Sequence, residues 1–303
     1  MIKNQLSFSI LITTKNRLYD LVYTLEKIKH LLERNDVECI LCDDGSIDGT
    51  AHFVQKQYPD ITFIQNSKSR GLIYSRNRMM TMVKSEFVVS IDDDLHFITS
   101  NPLELIRDFF ISTPAAAVAT FRIFWSKLEP LNTNTNEKSM LVQSYAGGAH
   151  AFRMKAWRDI PNYPEWFVFY GEEDFASYQL FKKNWEIHYL PEVLVNHRVD
   201  VKSRKNHSDY TIRLRRSLRS GWYLFFLFYP LQKIPKKMMY SIWMQFKLKV
   251  FKGDLKALKA IVLALFDLVW NTPRILKNRN RLTKKQYEMY SQLSETKIYW
   301  QPE

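Results

Sequence analysis

The chain has 303 residues, 46% hydrophobic and 25% charged; this allows one large α/β core with an appendage and excludes a disordered or low-complexity protein. Its net charge of +13 is uneven: residues 1–200 carry 22 Lys and Arg against 25 Asp and Glu, and residues 201–303 carry 22 against 6. A basic tail behind a near-neutral domain implies an anionic partner, whether phospholipid, nucleic acid or a phosphorylated substrate.

Short apolar runs alternate with helical patterns from the start of the chain. A strand over Phe8–Thr13 precedes a helix from Tyr19 to Glu33; a strand over Cys39–Cys42 precedes a helix over Thr50–Gln57; a strand over Thr62–Gln65 precedes a helix from Tyr74 to Val83, and a strand over Phe87–Ile91 follows. Such alternation predicts a mostly parallel central sheet covered by helices, with ligands at the carboxyl ends of its strands. The two cysteines, Cys39 and Cys42, stand three apart on a strand and so face opposite sides, which predicts two buried thiols rather than a redox pair or half a zinc site. A second half runs from about Pro114 to Asn196, with a loop at Asn132–Asn136; from Arg213 the pattern is helical, basic and aromatic. The expected organisation is a domain over 1–210, with halves of about 1–112 and 113–210, and a basic amphipathic helical extension over 211–303. The first residues lack the apolar segment of a leader, and no run of about 20 apolar residues occurs, so a cytoplasmic location is expected.

Polar residues collect where ligands should bind. Asp92-Asp93-Asp94 ends an apolar strand, and carboxylates held there suit Mg²⁺ or Mn²⁺ shared with a phosphate, although an isolated acidic triplet is as readily a solvated turn. Asp43 and Asp44 close the second strand; with Gly45 they could form a turn or cap, with Asp48-Gly49-Thr50 capping the next helix, or one could accept from a base or ribose. Ser69-Arg70-Gly71, Arg76 and Asn77 offer donors to a diphosphate, or are simply exposed helix residues. Glu172-Glu173-Asp174 follows the aromatic run Trp166–Tyr170; a carboxylate beside such a wall gains proton affinity and suits a general base, while acidic residues also favour any helix start. His197 could bind a metal or phosphate, against the commoner structural role of a lone histidine.

Taken in order, Ser9–Arg17, Asp43–Thr50, Asp92–Asp94 and Gly171–Asp174 resemble the inverting family-two glycosyltransferases of GT-A fold, over about residues 7–200. The resemblance implies an α/β GT-A domain whose first half binds a nucleotide-sugar donor and whose second binds a glycan or lipid-linked acceptor. It implies Thr13 and Asn16 near the nucleotide, Asp43 or Asp44 at the base, Arg76 near the diphosphate, and Asp93 on the donor side. Asp92 and Asp94 become the D-x-D pair and, with His197, the holders of Mn²⁺ or Mg²⁺; Asp94 is the direct ligand. Gly147-Gly148 corresponds to a small-residue segment lining the acceptor site, Glu173 to an acceptor contact and Asp174 to the base. The family usually has Asn where Arg70 stands, and commonly an acidic residue and an Arg where Ala176–Leu180 stand. Surface polysaccharide assembly is the family habit.

The tail contains the aromatic run Trp222–Pro230, flanked by Arg213, Arg215, Arg216, Arg219, Lys233, Lys236 and Lys237. Met239, Ile242, Trp243, Phe246 and Val250 follow helical spacing, and Lys256–Trp270 adds an apolar stretch interrupted by Asp267. These stripes suit the surface of an anionic membrane, at the inner face of the cell membrane, or they pack on the catalytic domain or a second copy in a homo-oligomer. No nucleic-acid readout motif occurs. A sugar nucleotidyltransferase would need a Gly-rich phosphate loop, and residues 1–30 contain no glycine; a non-catalytic relative that docks at membranes or partners is the other alternative.

Overall fold

The computed structural model describes residues 7–199 and 208–297; residues 1–6, part of the segment read above for a leader, and the last residues of the tail lie outside them. Nine strands form one sheet: β1 (Phe8–Thr14), β2 (Val37–Asp43), β3 (Thr62–Gln65), β4 (Phe87–Asp92), β5 (Leu95–Phe97), β6 (Ala116–Trp125), β7 (Met140–Leu141), β8 (Ala149–Arg153) and β9 (Glu186–His197). Their order is β3-β2-β1-β4-β8-β6-β9-β5, with β7 on β9. Pairing is parallel over β3-β2-β1-β4, as the alternation predicts. Beyond β4 the sheet turns mixed: β8 is antiparallel to β4 and β6, and β5 to β9, while β6 and β9 run parallel.

The helices of the sheet domain are α1 (Leu18–Lys27), α2 (Lys29–Leu32), α3 (Thr50–Gln57), α4 (Leu72–Met80), α5 (Pro102–Ser112), α6 (Met154–Arg158) and α7 (Glu172–Lys182). The helix expected over 19–33 is thus two, divided at the fully buried Ile28; no Gly or Pro marks that break in the sequence. The helix expected from Tyr74 starts earlier, just after Gly71, whose φ of 95° suits glycine. The N-cap of α3 is Gly49, without a side-chain cap; Asp48 just before it accepts from the Thr50 N–H and hydroxyl through Oδ1 and from the Leu18 N–H at the start of α1 through Oδ2.

Alternate strand residues face two separate cores. Ile10, Ile12, Cys39, Leu41, Val89 and Ile91 pack on one side, and Leu11, Ile40, Cys42 and Val88 on the other. Cys39 and Cys42 are therefore free, buried and on opposite faces, and burial pushes the Cys39 thiol up to about 12.

The tail folds as α8 (Tyr210–Phe228), α9 (Ile234–Leu248), α10 (Leu255–Trp270), α11 (Thr272–Asn278) and α12 (Lys284–Gln292). The aromatic run of α8 turns inward. Tyr223 meets Trp166 and Phe167 with ring centroids 5.0 and 5.4 Å away, and Phe228 stacks on Tyr178 at 4.8 Å, so this stretch is core between tail and sheet domain rather than free surface. Asp267 does not interrupt α10; it pairs with Arg215 of α8 through two hydrogen bonds of 2.6 and 2.7 Å. The chain end then returns to the sheet, where the Gln143 N–H donates to the Ser294 carbonyl at 2.8 Å. Among the described residues no helix is long and apolar enough to cross a membrane.

Candidate active site

The apolar strand β4 delivers Asp92 to the rim, and the turn Asp93-Asp94 that leads into β5 is buried. Antiparallel pairing of β5 with the end of β9 sets Leu95 opposite His197, which is how a histidine about a hundred residues away reaches the triplet. His197 Nε2 lies 3.0 Å from Asp94 Oδ1 and 4.0 Å from Asp92 Oδ2. Ligand atoms of Asp92, Asp94 and His197 all lie within 4.8 Å of one another.

Each acidic residue of the triplet has an arginine neighbour, two of them sharing one. Arg17 contacts Asp93 at 2.9 Å and Asp94 at 2.6 Å, while Arg76 contacts Asp92 at 3.1 Å. Burial works upward on Asp94, but His197 and Arg17 hold its carboxyl well below the usual range. Asp93, donated to by the Thr14 hydroxyl at 2.8 Å, is pushed by burial up to about 7 against the pull of Arg17. Arg76 also contacts Glu172 and Glu173, at 3.1 and 3.4 Å, and donates to the Gly147 carbonyl at 2.6 Å. With Asp20, which contacts Arg17 at 3.2 Å, six carboxylates thus gather around two guanidinium groups. This surplus of negative charge, with the buried Asp94 Oδ1 making no well-aligned hydrogen bond, fits a hard divalent cation held by oxygen ligands and one imidazole.

Two cavities meet at this cluster. The first, about 280 Å³, is lined by Thr13, Thr14, Lys15 and Arg17 after β1, by Asp44, Ser69, Gly71 and Leu72, by Asp92 and Asp93, and by Phe169 and Arg216. The second, about 320 Å³, is lined by Ile123, Trp125, Ser144–Gly148, Glu173, Asp174, His197 and Thr296. Asp92 lies in the wall of one and His197 in the wall of the other. A larger cavity of about 570 Å³ between α7, β9 and α12 is mostly apolar, with Phe181, Trp185, Met289 and Tyr290 in its wall; Glu186 is its one carboxylate, and none of these acidic groups lines it.

Of the residues singled out for the donor, Thr13, Asp44, Asp92 and Asp93 reach the first cavity, whereas Asn16, Asp43 and Arg76 are not in its wall. Asn16 Oδ1 accepts from the Ile47 N–H and Asp43 Oδ1 from the Ser46 N–H, so both pin the loops that frame the opening. Asp44 accepts from the N–H groups of Arg70 and Gly71 and from Ser69 and Asn66; burial raises its carboxyl, but these donors together hold it below the usual range. Of the Ser69–Asn77 segment, Arg76 and Asn77 face inward, Asn77 bonding both backbone groups of Tyr163, and Arg70 lies over the Tyr74 ring.

Gly147, Gly148 and Glu173, the residues expected at an acceptor, and Asp174 line the second cavity. A Cβ on Gly147 would stand 1.7 Å from Glu173 Oε1, so a side chain there must displace the end of Glu173, and one on Gly148 would stand 3.2 Å from Asp92 Oδ2. The acidic triplet 172–174 opens α7 behind a bent loop in which Val168 and Tyr170 take φ of 69° and 70°, conformations costing about 1–3 kcal/mol each. Asp174 is exposed within its cavity, yet the surrounding protein raises its carboxyl above the ordinary value, with Ser144 pulling the other way. Burial, then Glu172, raises Glu173 well above its usual range against the pull of Arg76. Residues missed from the sequence include Arg216, Phe169, Ser144 and Thr296; only the aromatic run and the cationic flank hinted at the first two.

A sequence model of the family described as Glycosyl transferase family 2 matches residues 9–175. The chain belongs to glycosyl transferase family 2. Its structural neighbours are GT-A glycosyltransferases, and their likeness to this family-2 chain is one of fold. A mannosyltransferase from Pyrobaculum calidifontis, in complex with GDP-Man and Mn²⁺, aligns with TM-score 0.56 and 14% identity over 95% of this chain and 84% of that one. GalNAc-T7 with UDP, GalNAc and Mn²⁺ aligns with TM-score 0.55 and 15% identity over 74% of this chain and 50% of that one. TarS of S. aureus aligns with TM-score 0.53 and 16% identity over 73% and 43%; the family-2 chain thus spans half or less of these last two proteins. A search of curated proteins finds no match.

Proposed function

We propose that this chain transfers one sugar from a nucleotide diphosphate sugar to a hydroxyl of a glycan or lipid-linked acceptor, with inversion at the anomeric carbon. The observation that carries the proposal is the Asp92, Asp94 and His197 group, with Asp92 in the wall of one cavity and His197 in that of the other, and Asp174 exposed on the second cavity's wall. Mn²⁺ or Mg²⁺ held by Asp92, Asp94 and His197 would neutralise charge on the departing diphosphate. Neighbours of the same fold that bind UDP or GDP-Man together with Mn²⁺ support this reading.

In the reaction, the acceptor oxygen forms a bond to the anomeric carbon while the bond from that carbon to the phosphate oxygen breaks, its electrons leaving on the diphosphate. The acceptor proton passes to the Asp174 carboxylate, whose raised proton affinity suits it as base. Glu173 contacts the acceptor, and the bare backbone of Gly147-Gly148 leaves room for it. Thr13, Asp44 and Asp93 shape the donor side; Asn16 and Asp43 hold its loops. Arg76, committed to Asp92, Glu172 and Glu173, positions those carboxylates rather than the diphosphate. The test is a panel of UDP- and GDP-sugars incubated with Mn²⁺ or Mg²⁺ and scored for donor binding and hydrolysis. Metal-dependent binding of at least one is expected, and no binding of any donor would overturn the reading.

The 211–303 region extends the proposal to an anionic membrane surface. Lys236, Tyr240, Trp243 and Lys247 share the outward face of α9, and Leu255, Lys259, Val262, Phe266 and Val269 that of α10; Trp270 is 83% exposed. Aromatic and aliphatic groups interleaved with lysines suit a headgroup boundary, whereas a second copy would meet like charge. The protein is expected to sediment with vesicles of phosphatidylglycerol but not of phosphatidylcholine; equal sedimentation with neither would remove the membrane from the proposal.

A further inference from the structure

We propose that Arg216, on α8, supplies the fixed positive charge that meets the diphosphate of the donor, so that the tail completes the donor site. This rests on the transferase reading above. Four arginines stand on α8 between 213 and 219, and three are committed. Arg213 pairs with Asp209 at 2.5 Å, Arg215 with Asp267 at 2.6 Å, and Arg219 with Asp267 at 3.3 Å and the Phe167 carbonyl at 2.6 Å. Arg216 has no carboxylate or carbonyl partner among the described residues, and it is half-buried in the wall of the 280 Å³ cavity with Thr13, Asp92 and Asp93.

The other cations near that cavity are less suited. Arg17 is engaged by Asp20, Asp93 and Asp94, Arg76 lies outside the wall, and Lys15 is exposed on a loop. The placement of Arg216 is itself built. One turn further along the same face of α8, Arg219 and Ser220 donate to the carbonyls of Phe167 and Phe169, and Phe169 lines the same cavity. A Cβ on Gly171 would stand 3.0 Å from the Ser220 Cβ, which shows how closely α8 seats against the bent loop. A half-buried guanidinium beside three other arginines is costly until an anion arrives; burial, then Arg219 and Arg215, already lower its proton affinity. The planar fork of a guanidinium matches two phosphate oxygens at once, which a lysine cannot do.

The test is calorimetric binding of UDP, GDP, UMP and GMP to the full chain in the presence of Mn²⁺. Arg216→Ala is expected to weaken the nucleoside diphosphate that the wild type binds by about 10- to 100-fold, to leave the matching monophosphate nearly unchanged, and to be partly restored by Arg216→Lys. Lys56→Ala, at an exposed position of α3 that lines neither cavity, should change neither ligand. Arg216→Gln keeps the aliphatic stem and carries the same expectation, should the alanine variant fold poorly. Unaltered diphosphate binding in a folded Arg216 variant, or equal loss of mono- and diphosphate, would overturn the proposal for Arg216 alone. A wild type that binds neither diphosphate would overturn the transferase reading beneath it.

Discussion

The two acidic triplets, Asp92–Asp94 and Glu172–Asp174, look alike in the sequence, and the structure treats them differently. The first ends a buried strand and is met by Arg17, Arg76 and His197; against burial, His197 and Arg17 pull Asp94 below the usual range, while burial raises Asp92 and Asp93. The second opens a helix, spends Glu172 and Glu173 on Arg76, and leaves Asp174 facing a cavity with no cationic partner among the described residues. Burial and neighbours, not residue type, set the direction in which each carboxyl moves: Asp94 downward, Asp174 upward. A group that must grip and a group that must accept a proton need these opposite environments.

The comparison breaks first at Asp94. Asp94→Ala is expected to cut transfer by about 10³-fold or more, the loss of a charge-stabilising contact to the leaving group, and to abolish the Mn²⁺ dependence of donor binding measured by calorimetry. If donor affinity still rises with Mn²⁺ in this variant, the triplet is not the cation site. Next comes Asp174→Asn, for which kcat should fall about 10²- to 10³-fold while donor affinity stays within about twofold. If Asp174 is the ionised base proposed above, wild-type rate should fall as pH drops through its raised pKa, so the acid limb should lie above the ordinary aspartate range; the limb should vanish from the residual rate of the variant.

A stability measurement separates positioning from catalysis. Arg76→Ala leaves the buried Glu172 without its partner and should cost about 3–5 kcal/mol in chemical denaturation. Burial already raises Glu172, so the variant disfavours its ionised form, and its stability should recover as pH falls through that raised pKa. Wild-type stability at neutral pH would show that the Arg76 cluster is not a structural unit. The smallest effect is expected at Gly147→Ala. Its methyl must displace Glu173, raising acceptor KM by about 10-fold, some 1.4 kcal/mol, without change in donor affinity; a shift in donor affinity instead would move Gly147 to the other cavity.

Much of this arrangement was legible in the residue pattern. Alternating apolar runs and helical periodicity determined the parallel β3-β2-β1-β4 layer, the opposite faces of Cys39 and Cys42, and the gathering of Thr13, Asp44 and Asp92 at one rim, because each follows from which side of its own element a residue faces. Only the tertiary structure decided what those residues touch. Register between β5 and β9 brought His197 to Asp94; packing turned Arg76 away from the first cavity and into the carboxylates; the seating of α8 carried Arg216 into the wall of the first cavity, and the returning chain end carried Thr296 into that of the second. Periodicity records a residue's face but not its partner, since the partner is fixed by how distant elements pack, and no local pattern encodes that distance.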